Sequence, residues 1–429
     1  MIFMRFISFW GDGWTSGSRA RKELIRMNGS IISFDVSKGS CHYQAFVDFK
    51  KPIFKPKVLK WTRDSFENLQ KDIELLKEKS QGNSIEFVLE ATGIYSKPLE
   101  KWLKDGGYSY YVISPLLSSK YRQTQIHGNK TDALDCANIA QVYYSAILDP
   151  RENGDEVFLT MHSLNRYYED QMEHLRKYKV TLRAYIDSVM PGFDSVFPSN
   201  DIFKDLPMEI LKKYPHPMMI QRVSRNRLIQ YLLKHTSHQK AFVERYVDKI
   251  KDWSSQAYSG FNPEDVEVSI ISKLVIKVEE IAKEADETLK QLIELARTTP
   301  HFDQIYSICG IGENLAARII AELGDIRRFK GKNQIVSYAG LDPMIRQSGN
   351  VNGTHLSISK KGNKRLRCLL YLAVSCNLRL KKEDIIYNYY QKKRQQVTPL
   401  CAKAARIACA HKLLIIIYGI CKTDTYYNY

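Results

Sequence analysis

Three strand-like runs follow one another between residues 30 and 60 before any helical periodicity sets in. IISFDV is a short apolar run of the kind that fills a buried strand, CHYQAFVDF alternates, and KVLKWT reads as a third strand. The pattern then changes. SFENLQKDIELLKEK has helical spacing, SIEFVLEA reads as a strand, KPLEKWLKDGG as a helix stopped by glycine, YSYYVIS as a strand and TDALDCANIAQVYY as a helix. Asn129 or Thr131 stands where a cap for that last helix is needed. Residues 30–150 therefore read as an α/β domain, and three strands followed by alternating helix and strand is the order of a ribonuclease-H-like fold, an order whose pieces many α/β folds share.

Acids punctuate this domain. Asp35 lies at the end of the first strand and Glu90 at the end of a central one. A carboxylate at the tip of an apolar strand is desolvated unless it is paired or metal-bound. Asp132 and Asp135 stand three residues apart in GNKTDALDCANIA, so a helix points them the same way. A helix offers two oxygen ligands to one hard cation in that manner. Each acid alone has a bland reading, as a loop cap or a solvated helix face. Four carboxylates from adjacent elements repel one another unless a cation intervenes. Two Mg²⁺ ions roughly 4 Å apart would offset that repulsion and clamp the attacking and leaving oxygens of a phosphodiester.

The remaining chain is organised differently. Residues 1–29 read as a poorly patterned leader, either disordered or preceding the true start, with Met27 just before the first strand. Residues 151–300 lose the strand pattern. Val266, Ile270, Leu274, Val278, Ile281, Ala285, Leu289, Leu292 and Ala296 form an apolar seam. A long helical hairpin or coiled coil fits this seam, with pairing to a second chain as the reason to expose it and an internal helix pair as the alternative. Residues 301–429 read as a compact, mostly helical domain. They hold 21 Lys+Arg against 8 Asp+Glu, most of the formal net charge of +17. Such an excess implies a polyanion partner, most often nucleic acid. The eight cysteines form no CxxC and no zinc spacing, which points to reduced thiols. The longest apolar run, LLIIIYGIC, is about half of the roughly 18 residues that a membrane span needs. With no clear secretory signal, a cytoplasmic protein with no membrane association is expected.

Two C-terminal strings carry chemistry. In IYSICGIGENLAARIIAEL, Gly310 and Gly312 form a turn between helical stretches, as in a helix-hairpin-helix element whose backbone N–H groups approach a phosphate. A plain packing corner is the competing reading. Next, SYAGLDPMIRQSGNVNGTHLSISKKGNKRLR is rich in loop residues. Ser348 stands before a glycine near Arg346, and by chemistry alone such a serine is a turn residue. Lys360, Lys361, Lys364, Arg365 and Arg367 can neutralise phosphates, or form a solvated helix face.

FDVSK, LEATG and KTDALD, in that order, resemble the RuvC-like domain of the insertion-sequence-110 family of transposases and the related DNA invertases. YAGLDPxxxQSG followed by ISKKGNKRLR resembles the C-terminal transposase domain of the same family. The resemblance covers nearly the whole chain from about residue 30. It implies that Asp35, Glu90, Asp132 and Asp135 bind Mg²⁺ and that Ser348 is the nucleophile, with Ser357 and Ser359 as rivals. It also implies donor and target DNA and a structured guide RNA as partners. Strand exchange needs several active sites at once, which points to a dimer or tetramer. Two other functions remain open on the residues. One is a junction-resolving nuclease that uses the same acids with water. The other is a nucleic-acid-binding protein without catalysis.

Overall fold

β1 (Ser30–Val36) is flanked on both edges, and its two partners run in opposite senses. β2 (Ser40–Asp48) pairs with it antiparallel through Ile31↔Phe46 to Val36↔Cys41. β3 (Lys51–Pro52) and β4 (Lys57–Lys60) continue antiparallel from β2. On the other edge lies β5 (Ile85–Glu90), parallel to β1, followed by β6 (Tyr110–Ile113), parallel to β5. A parallel neighbour requires a crossover. α1 (Arg63–Lys79) supplies one before β5, and α2 (Lys97–Asp105) one before β6. The sheet order is β3-β2-β1-β5-β6, with β4 also on β2. α3 (Asp132–Ser145) closes the unit.

The chain is a computed structural model that describes residues 29–80, 84–90, 93–113, 118, 132–145, 156–343, 347–348, 351–352 and 357–427. It forms two compact units, Met1–Gly154 and Asp155–Tyr429. The leader expected at residues 1–29 lies outside the described residues except for Gly29.

Alternation along the strands divides the first unit into two cores. Ile32, Phe34 and Val36 of β1 and Phe87 and Leu89 of β5 pack with Leu69, Ile73 and Leu76 of α1 and Leu99 and Leu103 of α2. Ile31 and Val88 face the other way, against Ile139, Ala140, Val142 and Tyr143 of α3. Strands covered on both faces need apolar residues at nearly every position, and that is why IISFDV lacks a clean polar alternation. Asp72 of α1 is buried, and the Tyr43 hydroxyl donates to it at 2.6 Å while the Lys57 ammonium pairs with it at 2.7 Å. The pairing that a buried carboxylate needs is thereby met from β2 and β4.

The second unit is built on two long helices, α4 (Glu156–Val189) and α9 (Val266–Arg297). They run antiparallel. Leu175 to Val189 of α4 share a core with Val268 to Ile281 of α9, whereas Phe158 and Met161 share one with Leu292 and Ala296. α5 (Asp205–Lys213), α6 (Pro217–Arg222), α7 (Arg225–His235) and α8 (Lys240–Gln256) fill the first of these cores. The seam in α9 is thus buried within the chain, and its early register differs from the expected one. Val268, Ile271 and Val275 are buried rather than Val266, Ile270 and Leu274. Both sets have apolar residues at helical spacing; the partner helix decides which is used. The seam is no longer a reason to expect a second chain.

α10 (Phe302–Tyr306), α11 (Glu313–Leu323), α12 (Lys332–Ala339), α13 (Lys364–Leu380), α14 (Ile385–Gln395) and α15 (Ala402–Thr423) surround the other core, with a small hairpin of β7 (Gln347–Ser348) and β8 (Val351–Asn352) between α12 and α13. By length and composition α15 alone among the described residues is long and apolar enough to cross a membrane, although its uninterrupted apolar run is as short as expected. Lys403, Arg406, His411 and Lys412 break its apolar run without making the helix polar. Ala405, Cys409, Leu413, Leu414 and Ile417 of this helix are buried in the C-terminal core. All eight cysteines are free thiols.

Leu292 is fully buried where α9 meets the C-terminal core. Leu292→Ala is expected to lower the unfolding free energy of this unit by about 2–5 kcal/mol, measured by denaturant titration.

Candidate active site

Strand register relates two of the acids of the first unit, Asp35 and Glu90. The β1–β5 pairing runs from Ser30↔Ile85 to Phe34↔Leu89, so the next step sets Asp35 beside Glu90. Neighbouring strands are about 4.8 Å apart. Side chains alternate, so Asp35 shares a face with Ile31 and Glu90 with Val88. Both belong to the face that α3 covers.

Two tyrosines fix the direction and height of α3. The Tyr144 hydroxyl donates to the Gly29 carbonyl at 2.6 Å, and the Tyr143 hydroxyl donates to the Glu86 carboxylate at 2.8 Å. Both acceptors lie at the N-terminal ends of their strands, so α3 runs antiparallel to β1 and β5. From Tyr143 back to Asp135 the helix rises about 12 Å, and from Glu86 to Glu90 the strand rises about 13 Å. Asp135 thus stands level with the strand tips. It is buried, one turn before Ile139 on the sheet-facing stripe. Asp132 occupies the first position of α3, one turn earlier on the backbone. Its side chain lies outside the described residues. Carboxylates at a helix N-terminus also interact favourably with the helix dipole, by about 0.3–1 kcal/mol each.

The donors gathered here are carboxylate oxygens, the set that a hard cation such as Mg²⁺ takes. Burial pushes the Cys41 thiol far above its ordinary range, and neighbouring Cys136 and Asp35 push it further. Among the described residues, no group of three or more His, Cys, Asp or Glu already closes on a single point. Mutual repulsion between carboxylates opposes such closure.

In the second unit, Ser348 is the last residue of β7, and two residues separate it from β8. Its side chain lies outside the described residues, as does Arg346. The base of this hairpin is tightly closed. Gly340 adopts φ +65°, and a Cβ there would stand 2.5 Å from the Gly362 nitrogen; one on Gly362 would stand 2.2 Å from the Tyr338 carbonyl. Only glycines allow the outgoing and returning chains to cross so closely. The Lys360 amide donates to the Gly340 carbonyl at 3.2 Å and the Ser359 amide to the Asp342 carbonyl at 2.8 Å. Ser359 also donates its hydroxyl to the Asp342 carboxylate at 2.7 Å, which makes it a fastener of the loop. Ser357 is exposed.

The basic run divides in two. The Arg367 guanidinium donates to the Ala339 and Gly362 carbonyls at 2.8 and 3.0 Å, bracing the glycine crossing. Arg365 pairs with Glu169 of α4. These two are engaged within the fold, whereas Lys360, Lys361 and Lys364 are exposed. The two turn glycines differ as well. Gly310 has φ +87°, and a Cβ there would stand 2.5 Å from the Asn377 backbone nitrogen. The Asn377 side chain donates to the Cys309 carbonyl at 3.0 Å. Gly310 is therefore a packing corner against α13. Gly312 caps α11 in open space, with Glu313 next to it.

Sequence reasoning passed over the polar residues that hold this region together. Glu322 of α11 is 1% exposed and accepts from the side chains of Asn165, Arg166 and Asn363. Arg318 of α11 bonds Asn165 and Glu169 at 3.1 Å each. The signal was an acid in the otherwise apolar run IIAEL.

Two family models match the chain. One for a DEDD transposase of the IS110 type matches residues 32–191, the span that holds the four acids. One described as Transposase IS116/IS110/IS902 family matches residues 303–391, the span that holds Ser348 and the basic run. The 44.8 kDa protein of insertion element IS116 from Streptomyces clavuligerus is 23% identical over 365 residues, covering 85% of this chain and 88% of its own. The transposase for insertion sequence element IS1111A from Coxiella burnetii is 36% identical over 81 residues, 19% of this chain and 22% of its own. The pilin gene-inverting protein of Moraxella bovis is 30% identical over 141 residues, 31% of this chain and 42% of its own.

The two turn glycines separate by substitution. Gly310→Ala must relieve both the contact with Asn377 and the positive φ, and is expected to destabilise the unit by at least about 1–3 kcal/mol. Gly312→Ala is expected to cost about 1 kcal/mol or less, the difference between glycine and alanine at a helix cap. Chemical denaturation of both variants measures the contrast.

Proposed function

Because this chain belongs to the IS110/IS116 family of insertion-element transposases, we propose that it cuts and rejoins DNA through a serine–phosphate ester, with Mg²⁺ held by Asp35, Glu90, Asp132 and Asp135. What supports this reading is the β1–β5 register, which puts Asp35 and Glu90 on neighbouring strand ends, together with buried Asp135 on the helix that covers the same face. The strand order β3-β2-β1-β5-β6 supports a ribonuclease-H-like, RuvC-like assignment for the N-terminal unit. Residues 151–300 then act as a helical spacer, and residues 301–429 as the serine-bearing domain.

Asp35 and Glu90 are held rigidly by strand pairing, and Asp135 by the packing of α3. Metal bound among them would stabilise charge on the phosphodiester oxygens. The Ser348 hydroxyl attacks phosphorus, forming the Ser–O–P ester. The bond to one deoxyribose oxygen breaks, and that oxygen leaves as a hydroxyl. The serine proton passes to water or to the leaving oxygen. The ester keeps the energy of the broken bond, so rejoining needs no nucleotide hydrolysis. In keeping with that, the sequence has no GxxxxGK[ST] loop.

Lys360, Lys361 and Lys364 are free to neutralise backbone phosphates, giving salt-dependent binding. The basic C-terminal region also suits an RNA partner, and a guide RNA encoded by the element is part of this proposal. So are a cytoplasmic location and a homo-oligomer, since strand exchange joins several cut ends at once.

Covalent trapping tests the proposal. The protein is mixed with Mg²⁺, end-labelled DNA carrying the element's junction, and RNA transcribed from its flanks, and is then run on a denaturing gel. A labelled protein–DNA band is expected from the wild type and is lost in both Ser348→Ala and Asp132→Asn. Cleavage without that band, unchanged in Ser348→Ala but lost in Asp132→Asn, would instead identify a nuclease that uses water.

A further inference from the structure

One buried residue, Glu322, meets both ends of the segment that carries Ser348, one through its backbone carbonyl and the other through its carboxylate. Tyr338, in α12 where the chain leaves for the hairpin, donates its hydroxyl to the Glu322 carbonyl at 2.9 Å. Asn363, where the chain returns, donates its side-chain amide to Glu322 Oε2 at 2.7 Å. The Asn363 backbone amide closes the triangle by donating to the Tyr338 carbonyl at 2.8 Å. Asn363 also caps α13, accepting from the Arg365 and Leu366 amides at 3.0 and 3.1 Å. On its far side Glu322 is held by α4, through Asn165 Nδ2 on Oε1 at 2.7 Å and Arg166 Nη2 on Oε2 at 3.0 Å.

A carboxylate with no exposed side-chain surface is costly unless each oxygen is satisfied. Here the donors come from the long hairpin on one side and from the base of the serine loop on the other. An apolar residue would fill the same space without fixing the loop ends to α4.

We propose that Glu322 is a positioning residue for Ser348: it locks the base of the β7–β8 hairpin to α4 and thereby fixes where the serine is presented. This rests on the reading of Ser348 as the nucleophile. Glu322 touches neither DNA nor metal; its carboxylate acts through Asn363.

The test uses Glu322→Gln in the full chain. The substitution keeps the volume but replaces one acceptor oxygen with an NH₂ group, which must face a donor: Asn165 at one position, or both Arg166 and Asn363 at the other. Two readouts are taken. Hydrogen exchange at the Ser359, Lys360 and Asn363 amides, which close the loop base, is expected to accelerate while α11 and α13 stay protected. The rate of Ser348-dependent covalent complex formation is expected to fall by about 10- to 100-fold with DNA affinity unchanged. Adding Asn363→Asp supplies an acceptor for the introduced amide and keeps the α13 cap, so it is expected to restore both readouts.

Unchanged exchange at the three amides would overturn the proposal whatever Ser348 does. Faster exchange with a wild-type rate of covalent complex formation would also overturn it, since the tie would then order the loop without positioning the serine. Should the wild type itself yield no Ser348-dependent complex, the nucleophile reading fails, and the positioning role fails with it. Loss of fold in Glu322→Gln is detected by circular dichroism; in that case the double variant decides, and its failure to recover the loop amides counts against the proposal.

Discussion

The parallel pairing of β1 with β5 is the constraint on which the acidic site depends. Asp35 and Glu90 are 55 residues apart in sequence and become neighbours only because Ser30 meets Ile85 and the register then holds to the tips. A slip of one residue would turn one carboxylate to the α1–α2 face and leave the other under α3. The apolar residues prevent that slip. Ile32 and Phe34 belong to one core and Ile31 to the other, so any shift exposes one set and buries a polar residue. Tyr143 and Tyr144 then set the height of α3, and Asp135 follows from helical rise alone.

The second unit solves a different problem, that of holding a short hairpin in place at the end of a long segment. Pairing within β7–β8 is too brief to do so, because a two-residue ladder is marginal by itself. The glycine crossing, Arg367 and the bonds around Glu322 take over that task. Each connects the loop base to helices already packed in the core. Those helices rest in turn on α4 and α9, which share a core toward each end.

Much of the first unit was legible in the sequence because its signals are local. Strand and helix periods are written in consecutive residues, and acids at strand tips stand out against apolar neighbours. What the sequence left hidden depends on contacts between distant residues. Gly310 and Gly312 look alike in GIG, yet one is pinned by Asn377 and the other is open. Arg365 and Arg367 read as part of one basic run with Lys360, Lys361 and Lys364, yet their partners are Glu169 and two carbonyls. The seam of α9 was visible, but its register was chosen by α4. Glu322 was passed over because an isolated acid in an apolar helix acquires meaning only when its donors are known.

Whether the acids at the strand tips form one metal site is decided by metal binding to the intact protein. Calorimetric titration with Mn²⁺, a spectroscopically convenient stand-in for Mg²⁺, should give saturable binding. That binding should be abolished or strongly weakened in Asp35→Asn and in Asp135→Asn, and should be unchanged in Ser348→Ala. Binding of wild-type strength in both aspartate variants would contradict the account, because the ion would then be held somewhere other than the end of the sheet.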